Sequence, residues 1–153
     1  MQIVIIAIGK ESSAELSKLQ TIYEQRLQPH TKIVWKLLPA SRAPDTEQVR
    51  AQDSNQIMAQ LKSNDVVILL DERGEQMTND QFATTFERLA GVQGRLVFVI
   101  GGAFGVTDTV RERAQFVWSL SKLVFPHQLV RVMLLEQVYR TFMVQKSHPY
   151  HHN

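Results

Sequence analysis

The segment VIGGAFGVTD, residues 99–108, places three glycines directly after an apolar run and then offers residues that begin helices. Glycine-rich loops can hold phosphates, but a dinucleotide-binding loop needs G-x-G-x-x-G and a P-loop needs G-x-x-x-x-G-K-[ST]. Gly101, Gly102 and Gly105 fit neither spacing, and no lysine follows them. The loop therefore either requires positive φ angles or close packing, or its missing side chains let a ligand approach the main chain. Neither alternative calls for a phosphate.

Two further groups near the C-terminus have side chains that could do chemistry. Glu136 and Arg140 are spaced i,i+4 with the acidic residue first, which suits a structural ion pair and leaves a substrate-binding role open. The chain ends in HPYHHN, but a metal site needs further ligands in defined geometry, so we predict no metal. A terminal segment usually frays. The alternative is a docked tail in which Tyr150 and His151 bring an aromatic ring and a titratable imidazole to a site.

Several classes of chemistry are excluded by what the sequence lacks. The absence of cysteine excludes disulfides, thiolate nucleophiles and cysteine-ligated metals. Neither G-x-S-x-G nor H-E-x-x-H is present, so hydrolase chemistry has no support. No apolar run approaches the roughly 20 residues that span a bilayer, and MQIVIIAIGK lacks the basic start and cleavage site of a signal peptide. We expect a cytoplasmic protein with no membrane partner.

Charge is unevenly distributed along the chain, although the formal net charge is only +2. Residues 1–44 carry six Lys and Arg against three Glu. Residues 125–153 carry three against one, together with four histidines. This asymmetry permits a polyanionic partner without requiring one.

The elements that would position these residues alternate between strand and helix. Apolar runs rich in β-branched residues predict strands at 2–8, 32–38, 65–71 and 95–102, with a turn at 72–76 and a short strand inside 116–125. Helical spacing and capping residues predict helices at 12–27, 45–62, 78–90, 108–115 and from Pro126 to about 144. This alternation is typical of a single α/β domain with a parallel sheet. Ligands bind at the carboxyl ends of such strands, which selects LLDERG, VIGGAFG and SLSKLVF as the rim of a site.

The last predicted helix is apolar on two sides. One stripe contains Val132, Leu135, Tyr139 and Phe142, and the other contains Val130, Leu134 and Val138. A domain of this size rarely needs both stripes for its own core, so we expect the helix to be shared with a second subunit.

Four short motifs follow one another in the C-terminal third, and their combined order is far more informative than any one of them alone. I-G-G-x-x-G, S-x-S-x-x-x-x-P-H-Q, E-Q-x-Y-R and a terminal Y-H follow one another, and the agreement extends back to the IVIIAIGK strand. On these motifs the chain resembles the RlmH family of SPOUT-class methyltransferases. The resemblance implies an S-adenosylmethionine-dependent enzyme that methylates N3 of a pseudouridine in 23S ribosomal RNA on the assembled ribosome. It also implies a single domain over residues 1–153, a parallel α/β sheet with a C-terminal deep trefoil knot, and a homodimer.

The same resemblance implies roles for particular residues. The donor-binding positions are Leu70, Gly101, Gly102, Leu120, Ser121, Lys122, Leu123, Val124 and Phe125. His151 is implied as the proton acceptor or base-orienting group, and Tyr150 as a stacking or hydrogen-bonding platform. The candidate RNA contacts are Lys10, Arg131 and Arg140, each of which also has a structural interpretation. Val124 replaces the threonine usual in the family, and Thr141 replaces a commoner alanine.

Three other functions remain open on the sequence alone. The chain could be a non-catalytic knotted module that binds RNA, a SPOUT methyltransferase that acts on another RNA such as tRNA, or an unrelated α/β protein that binds a nucleotide or flavin. Binding of S-adenosylmethionine separates the first and last of these from a methyltransferase.

Overall fold

A five-stranded, all-parallel sheet forms the centre of the molecule. The computed structural model describes residues 1–10 and 12–146. The strands are β1 (Gln2–Ile8), β2 (Lys32–Leu38), β3 (Val66–Glu75), β4 (Leu96–Ile100) and β5 (Phe116–Trp118), in the order β2-β1-β4-β3-β5. Because every pairing is parallel, the carboxyl ends of the strands meet at one edge. The expected parallel α/β fold is confirmed.

In the part of the chain that the structure describes, four helices connect successive strands and a fifth follows β5. They are α1 (Ala14–Leu27), α2 (Thr46–Gln60), α3 (Asn79–Ala90), α4 (Asp108–Arg113) and α5 (His127–Gln145). Capping side chains set where the first three begin. The Ser13 hydroxyl accepts from Leu16 N at 3.2 Å, and an Asp45 carboxylate oxygen accepts from Gln48 N at 2.8 Å. Thr78 and Gln81 form a reciprocal capping box.

The helices cover both faces of the sheet and create two apolar clusters. Alternate strand residues such as Ile5 and Phe98 pack with α1, α3 and α5, and the residues between them, such as Ile6 and Val99, pack with α2 and α4. Burial on both faces explains why the strands are continuously apolar instead of alternating. Within the described residues, no helix is long and apolar enough to cross a membrane.

Helix α5 lies on the sheet between α1 and α3, and this position accounts for its two apolar stripes. Leu134, Leu135 and Val138 are fully buried in the cluster beneath it, while Val130, Tyr139 and Phe142 pack against the edge of that cluster. Most of the apolar surface of α5 is thus covered within its own chain. The double stripe therefore gives less support to a dimer than its sequence indicated.

The structure corrects three details of the predicted elements. Helix α1 is capped by Ser13 and begins at Ala14, two residues after its predicted start, and α4 ends at Arg113, two residues before its predicted end. The predicted turn at 72–76 is wrong for most of its length, because β3 continues to Glu75. Leu70 and Glu75 both pair with Trp118 of β5, so residues 71–74 form an irregular excursion between two points on the same neighbour.

Candidate active site at the carboxyl edge of the sheet

A cavity of about 440 Å³ opens where β3, β4 and β5 end. This volume lies within the range of about 300–1,000 Å³ that is usual for small-molecule sites. Eight of the nine predicted donor-binding residues line it: Leu70, Gly101, Gly102, Leu120, Ser121, Leu123, Val124 and Phe125. Lys122 lies in the same segment but is not among the described residues that line the cavity. The three strand ends selected from the sequence thus lie around one space.

The glycine loop after β4 is a tight turn whose conformation depends on two different properties of glycine. Gly105 has a φ of 75°, in the left-handed region, and its N–H donates to the carbonyl of Gly102 at 3.1 Å. The other two glycines are needed for space. A Cβ on Gly101 would lie 2.8 Å from Val106 Cγ1, and one on Gly102 would lie 2.6 Å from Asp53 Oδ2. Close packing against the protein itself therefore explains these glycines without a ligand, although both still line the cavity.

A side chain from α2 holds the tip of this loop. Arg50 Nε donates to the carbonyl of Phe104 at 2.8 Å, and the Phe104 side chain remains 45% exposed at the cavity. Leu123 and Val124, also on the cavity wall, are 70% and 80% exposed. These are the two most exposed large apolar side chains of the described residues, so the cavity presents apolar surface to an incoming molecule.

The β3 excursion forms the opposite rim and packs tightly against β5. A Cβ on Gly74 would lie 2.6 Å from the carbonyl oxygen of Val117, so only glycine fits there. The carbonyl of Glu75 accepts from Ser119 N at 2.9 Å. The Ser119 hydroxyl in turn donates to the carbonyl of Ser121 at 2.8 Å, which fixes the start of the segment 120–125. The excursion and this segment therefore hold each other in place.

Asp71 on the excursion is ionised and held by two arginines. Its carboxylate accepts from Arg111 Nη1 at 2.9 Å, from the main-chain N–H of Arg73 at 2.9 Å and from Arg73 Nε at 3.3 Å. Burial alone would raise the pKa of Asp71, but these hydrogen bonds and the charge of Arg111 outweigh it and lower the pKa. A carboxylate in this state accepts hydrogen bonds and does not exchange a proton near neutral pH. The spacing of LLDERG placed this residue at the rim, but its partner Arg111 could not be seen from the sequence.

A buried polar cluster lies beside the cavity, under the glycine loop. It contains Asp53 of α2 together with His127 and Arg131 of α5, and His127 lines the cavity. The Asp53 carboxylate accepts from Ser41 N at 2.8 Å. Asp53 and Arg131 are each only 2% exposed. The cluster could not be predicted from the sequence, because Asp53 lies more than 70 residues before His127 and Arg131.

The three predicted RNA contacts have different surroundings. The Arg131 guanidinium donates to the main-chain carbonyls of Ile8 and Gly9 at the end of β1, so its burial and bonding fit the structural interpretation. Arg140 pairs with Glu136, whose carboxylate accepts from Arg140 Nε at 3.1 Å. Lys10 is exposed. The predicted catalytic residues Tyr150 and His151 lie outside the described residues.

The fold and cavity define an α/β protein that accommodates a small molecule at the carboxyl edge of a parallel sheet. The family described as "Predicted SPOUT methyltransferase" matches residues 1–151. The chain is 37% identical over 156 residues to the Ribosomal RNA large subunit methyltransferase H of Christiangramia forsetii, with 99% of both chains covered. It is also 37% identical over 159 residues to the Ribosomal RNA large subunit methyltransferase H 1 of Clostridium perfringens strain SM101, again with 99% of both covered. The chain therefore belongs to the SPOUT methyltransferase family.

Among solved structures, the chain was matched to the SpoU methyltransferase AviRb from Streptomyces viridochromogenes in complex with the cofactor AdoMet. The two superpose with a TM-score of 0.47 and 9% sequence identity, over 94% of this chain and 61% of that one. This likeness is too weak to assign residues or ligands.

Proposed function

We propose that the protein is an S-adenosylmethionine-dependent methyltransferase that modifies N3 of a pseudouridine in the RNA of the large ribosomal subunit. The observation that carries this proposal is the 37% identity over 99% of both chains to proteins named Ribosomal RNA large subunit methyltransferase H. The four ordered motifs of the C-terminal third support the pseudouridine as the target. The cavity supports the binding of a methyl donor, because motif residues from three strand ends line this cavity.

The methyl donor occupies the cavity at the carboxyl edge. S-adenosylmethionine supplies a methyl group on a sulfonium, which is already an excellent leaving group. The chain's own residues therefore have mainly to position the acceptor nitrogen in line and to exclude water. The glycine loop and the segment 120–125 form two walls for the donor, and the Asp71 excursion forms the third. Because the donor carries no phosphate, a glycine loop without the P-loop lysine suits it.

The acceptor must lose its N3 proton during the transfer. Tyr150 and His151 match the terminal Y-H motif, and we assign His151 to the proton and Tyr150 to holding the base. Single-turnover methylation by His151→Ala and Tyr150→Phe tests this assignment. We expect a loss of about 100-fold or more for His151→Ala, the size of a general-base contribution. Unchanged rates in both variants contradict the assignment.

Contacts with RNA phosphates fall to exposed basic residues outside the core. Lys10 is exposed and Arg140 is partly exposed beside Glu136, so both stay candidates, while the buried Arg131 serves the fold better than the substrate. Each phosphate contact steepens the salt dependence of binding by about one unit in the log–log slope. The Lys10→Gln variant should therefore reduce this slope, and Arg131→Gln should instead lower the free energy of unfolding.

The knot and the homodimer belong to this proposal as family features. The segment after β5 is joined to the β3 excursion by the hydrogen bond from Ser119 N to the Glu75 carbonyl, so the two chain regions that the family knot involves lie side by side. Sedimentation equilibrium of the full chain tests the dimer, and a monomer at micromolar concentration contradicts it.

The decisive experiment is mass spectrometry of RNA nucleosides from cells with and without the gene. Loss of one methylated pseudouridine from 23S ribosomal RNA supports the proposal, and loss of a tRNA nucleoside moves the target to tRNA. Calorimetry with S-adenosylmethionine complements it, because no binding at high micromolar donor would favour a non-catalytic RNA-binding module.

Gly101→Ala connects the cavity to this function. We expect it to abolish donor binding while the chain stays folded. Because the added Cβ would approach Val106 Cγ1 to 2.8 Å, the double variant Gly101→Ala, Val106→Ala is the matched control. If the cavity loses the donor because the Cβ occupies its space, the double variant still fails to bind. Recovery of binding in the double variant would instead locate the effect in internal packing.

A further inference from the structure

His127 connects the donor cavity to the buried polar cluster beneath it. As the first residue of α5 it lines the cavity, and it is partly buried there. Arg131 lies one helical turn further along, and Asp53 faces the same region from α2. The sequence motif contained this histidine, but neither its place in the cavity nor its neighbours followed from the motif.

The surroundings of His127 favour an uncharged imidazole. Burial lowers the pKa of His127, the Arg131 guanidinium lowers it further, and the Asp53 carboxylate opposes these two effects. Arg131 cannot swing away, because its guanidinium is bonded to the Ile8 and Gly9 carbonyls. The positive end of the 19-residue helix α5 also disfavours a cation at its first residue.

Arg131 also carries an unusual polar atom. Among residues 1–10 and 12–146, its Nε is buried and has no hydrogen-bond partner. A buried donor left without an acceptor is destabilising. The arginine therefore stays in this position at a cost, which keeps a permanent positive charge next to His127.

We propose that His127 is a positioning residue that hydrogen-bonds the methyl donor through its neutral imidazole, and that protonation of His127 weakens donor binding. This inference rests on the proposed function. A neutral imidazole has one donor and one acceptor nitrogen, so it can serve a hydroxyl, the ammonium or the carboxylate of S-adenosylmethionine. The donor carries a sulfonium and an ammonium against one carboxylate. A charged His127, next to the buried Arg131, would add a cation to the wall that receives a net positive ligand.

The test is calorimetry of S-adenosylmethionine binding to the full chain between about pH 8 and about pH 5, a window that spans ordinary histidine titration. Wild type should lose about tenfold in affinity as the pH falls, equivalent to about 1.4 kcal/mol, because protonation places a positive charge beside a net positive ligand. His127→Gln has no group at this position that titrates in the window, so its affinity at about pH 5 should stay within about twofold of its own affinity at about pH 8.

His30→Gln is the matched control. His30 also has a lowered pKa, caused by burial and then by Lys146, but its ring stacks on Phe142 at 5.3 Å between centroids and is not among the residues that line the cavity. This variant should follow the wild-type pH profile. Circular dichroism at each pH confirms that all three proteins remain folded.

The outcomes separate the inference from the function on which it rests. Wild type that binds no donor at about pH 8 contradicts the proposed function itself. Two other outcomes contradict only the role of His127. In the first, wild type binds the donor and His127→Gln keeps the same acid dependence. In the second, wild type binds the donor with no acid dependence. If His127→Gln does not fold, NMR titration of the His127 imidazole in wild type decides the matter. Donor must then lower the pKa of His127, and an unchanged titration overturns the inference.

Discussion

Two aspartates flank residues 66–70, the regularly paired part of β3, and they have nearly the same electrostatics but different consequences. Asp65 precedes the strand, and its fully buried carboxylate accepts from Arg95 Nε at 2.7 Å, Arg95 Nη2 at 2.6 Å and Lys62 N at 2.7 Å. Asp71 lies about 20 Å further along the strand, where its 5% exposed carboxylate binds Arg73 and Arg111. In both, hydrogen bonds and arginine charges lower the pKa against the opposing effect of burial.

The difference lies in what surrounds each pair. Asp65 is at the amino edge, where Arg95 precedes β4 and ties two neighbouring strands together. Asp71 is at the carboxyl edge and lines the cavity. A parallel sheet sends every strand's carboxyl end to one side, so the same ion-pair chemistry stabilises the fold at one end and shapes a binding site at the other. A variant at Asp65 should therefore mainly lower the free energy of unfolding, and a variant at Asp71 should mainly lower the affinity for the donor.

The largest effect is expected for Asp65→Asn. Removing the charge leaves Arg95 without its bidentate partner, and breaking a buried ion pair of this kind costs about 3 kcal/mol in the free energy of unfolding. Urea denaturation followed by circular dichroism measures this cost, with Glu112→Gln as the exposed control. Donor affinity of the folded variant should stay within about twofold of wild type. A binding defect without a stability defect would reverse the assignment.

Asp71→Asn should show the opposite division. Arg73 and Arg111 lose their counter-charge beside the cavity, so a net positive donor meets two unbalanced cations and a loosened rim. We expect donor affinity to fall about tenfold, equivalent to about 1.4 kcal/mol. The free energy of unfolding should fall by about 2 kcal/mol, less than in Asp65→Asn, because an amide oxygen at this position still accepts from the Arg73 main-chain N–H. Calorimetry and urea denaturation on the same preparation provide both numbers. Equal stability losses in Asp65→Asn and Asp71→Asn would erase the proposed distinction.

The sequence alone predicted where the strands lie, but it did not predict which side chains from distant segments meet. Apolar runs predicted β1 and β2 with their observed bounds. β1 is buried along almost its whole length, whereas β2 lies at the edge of the sheet and is only partly buried. The run beyond Leu70 was predicted as a turn, because only pairing with β5, more than 40 residues away, makes it strand. The rim of the cavity followed from strand polarity. Asp71–Arg111 and His127–Asp53 did not, since each joins residues from distant segments.

Acid should affect both aspartates in the same direction. A folded-state pKa below the unfolded value means that each carboxylate contributes stability above the unfolded pKa and loses it as the pH falls through the folded pKa. For Asp65 and Asp71 this window lies below about pH 4. Urea denaturation from about pH 5 to about pH 2.5 should show a steeper loss of stability in wild type than in either asparagine variant. Parallel curves for wild type and both variants would contradict the role of these carboxylates in acid stability.

The smallest effect is expected within the Asp71 pair itself. The Arg73 side chain is 66% exposed and that of Arg111 is 24% exposed, so solvent screens the first interaction much more than the second. Arg73→Gln also keeps the main-chain N–H that bonds Asp71. It should therefore change the free energy of unfolding by no more than about 0.5 kcal/mol, and Arg111→Gln should cost about 1–2 kcal/mol. Denaturation of the two variants under identical buffer conditions measures this order. A larger loss of unfolding free energy in Arg73→Gln than in Arg111→Gln would contradict this order. It would mean that the exposed Arg73, and not Arg111 of α4, holds Asp71 in place.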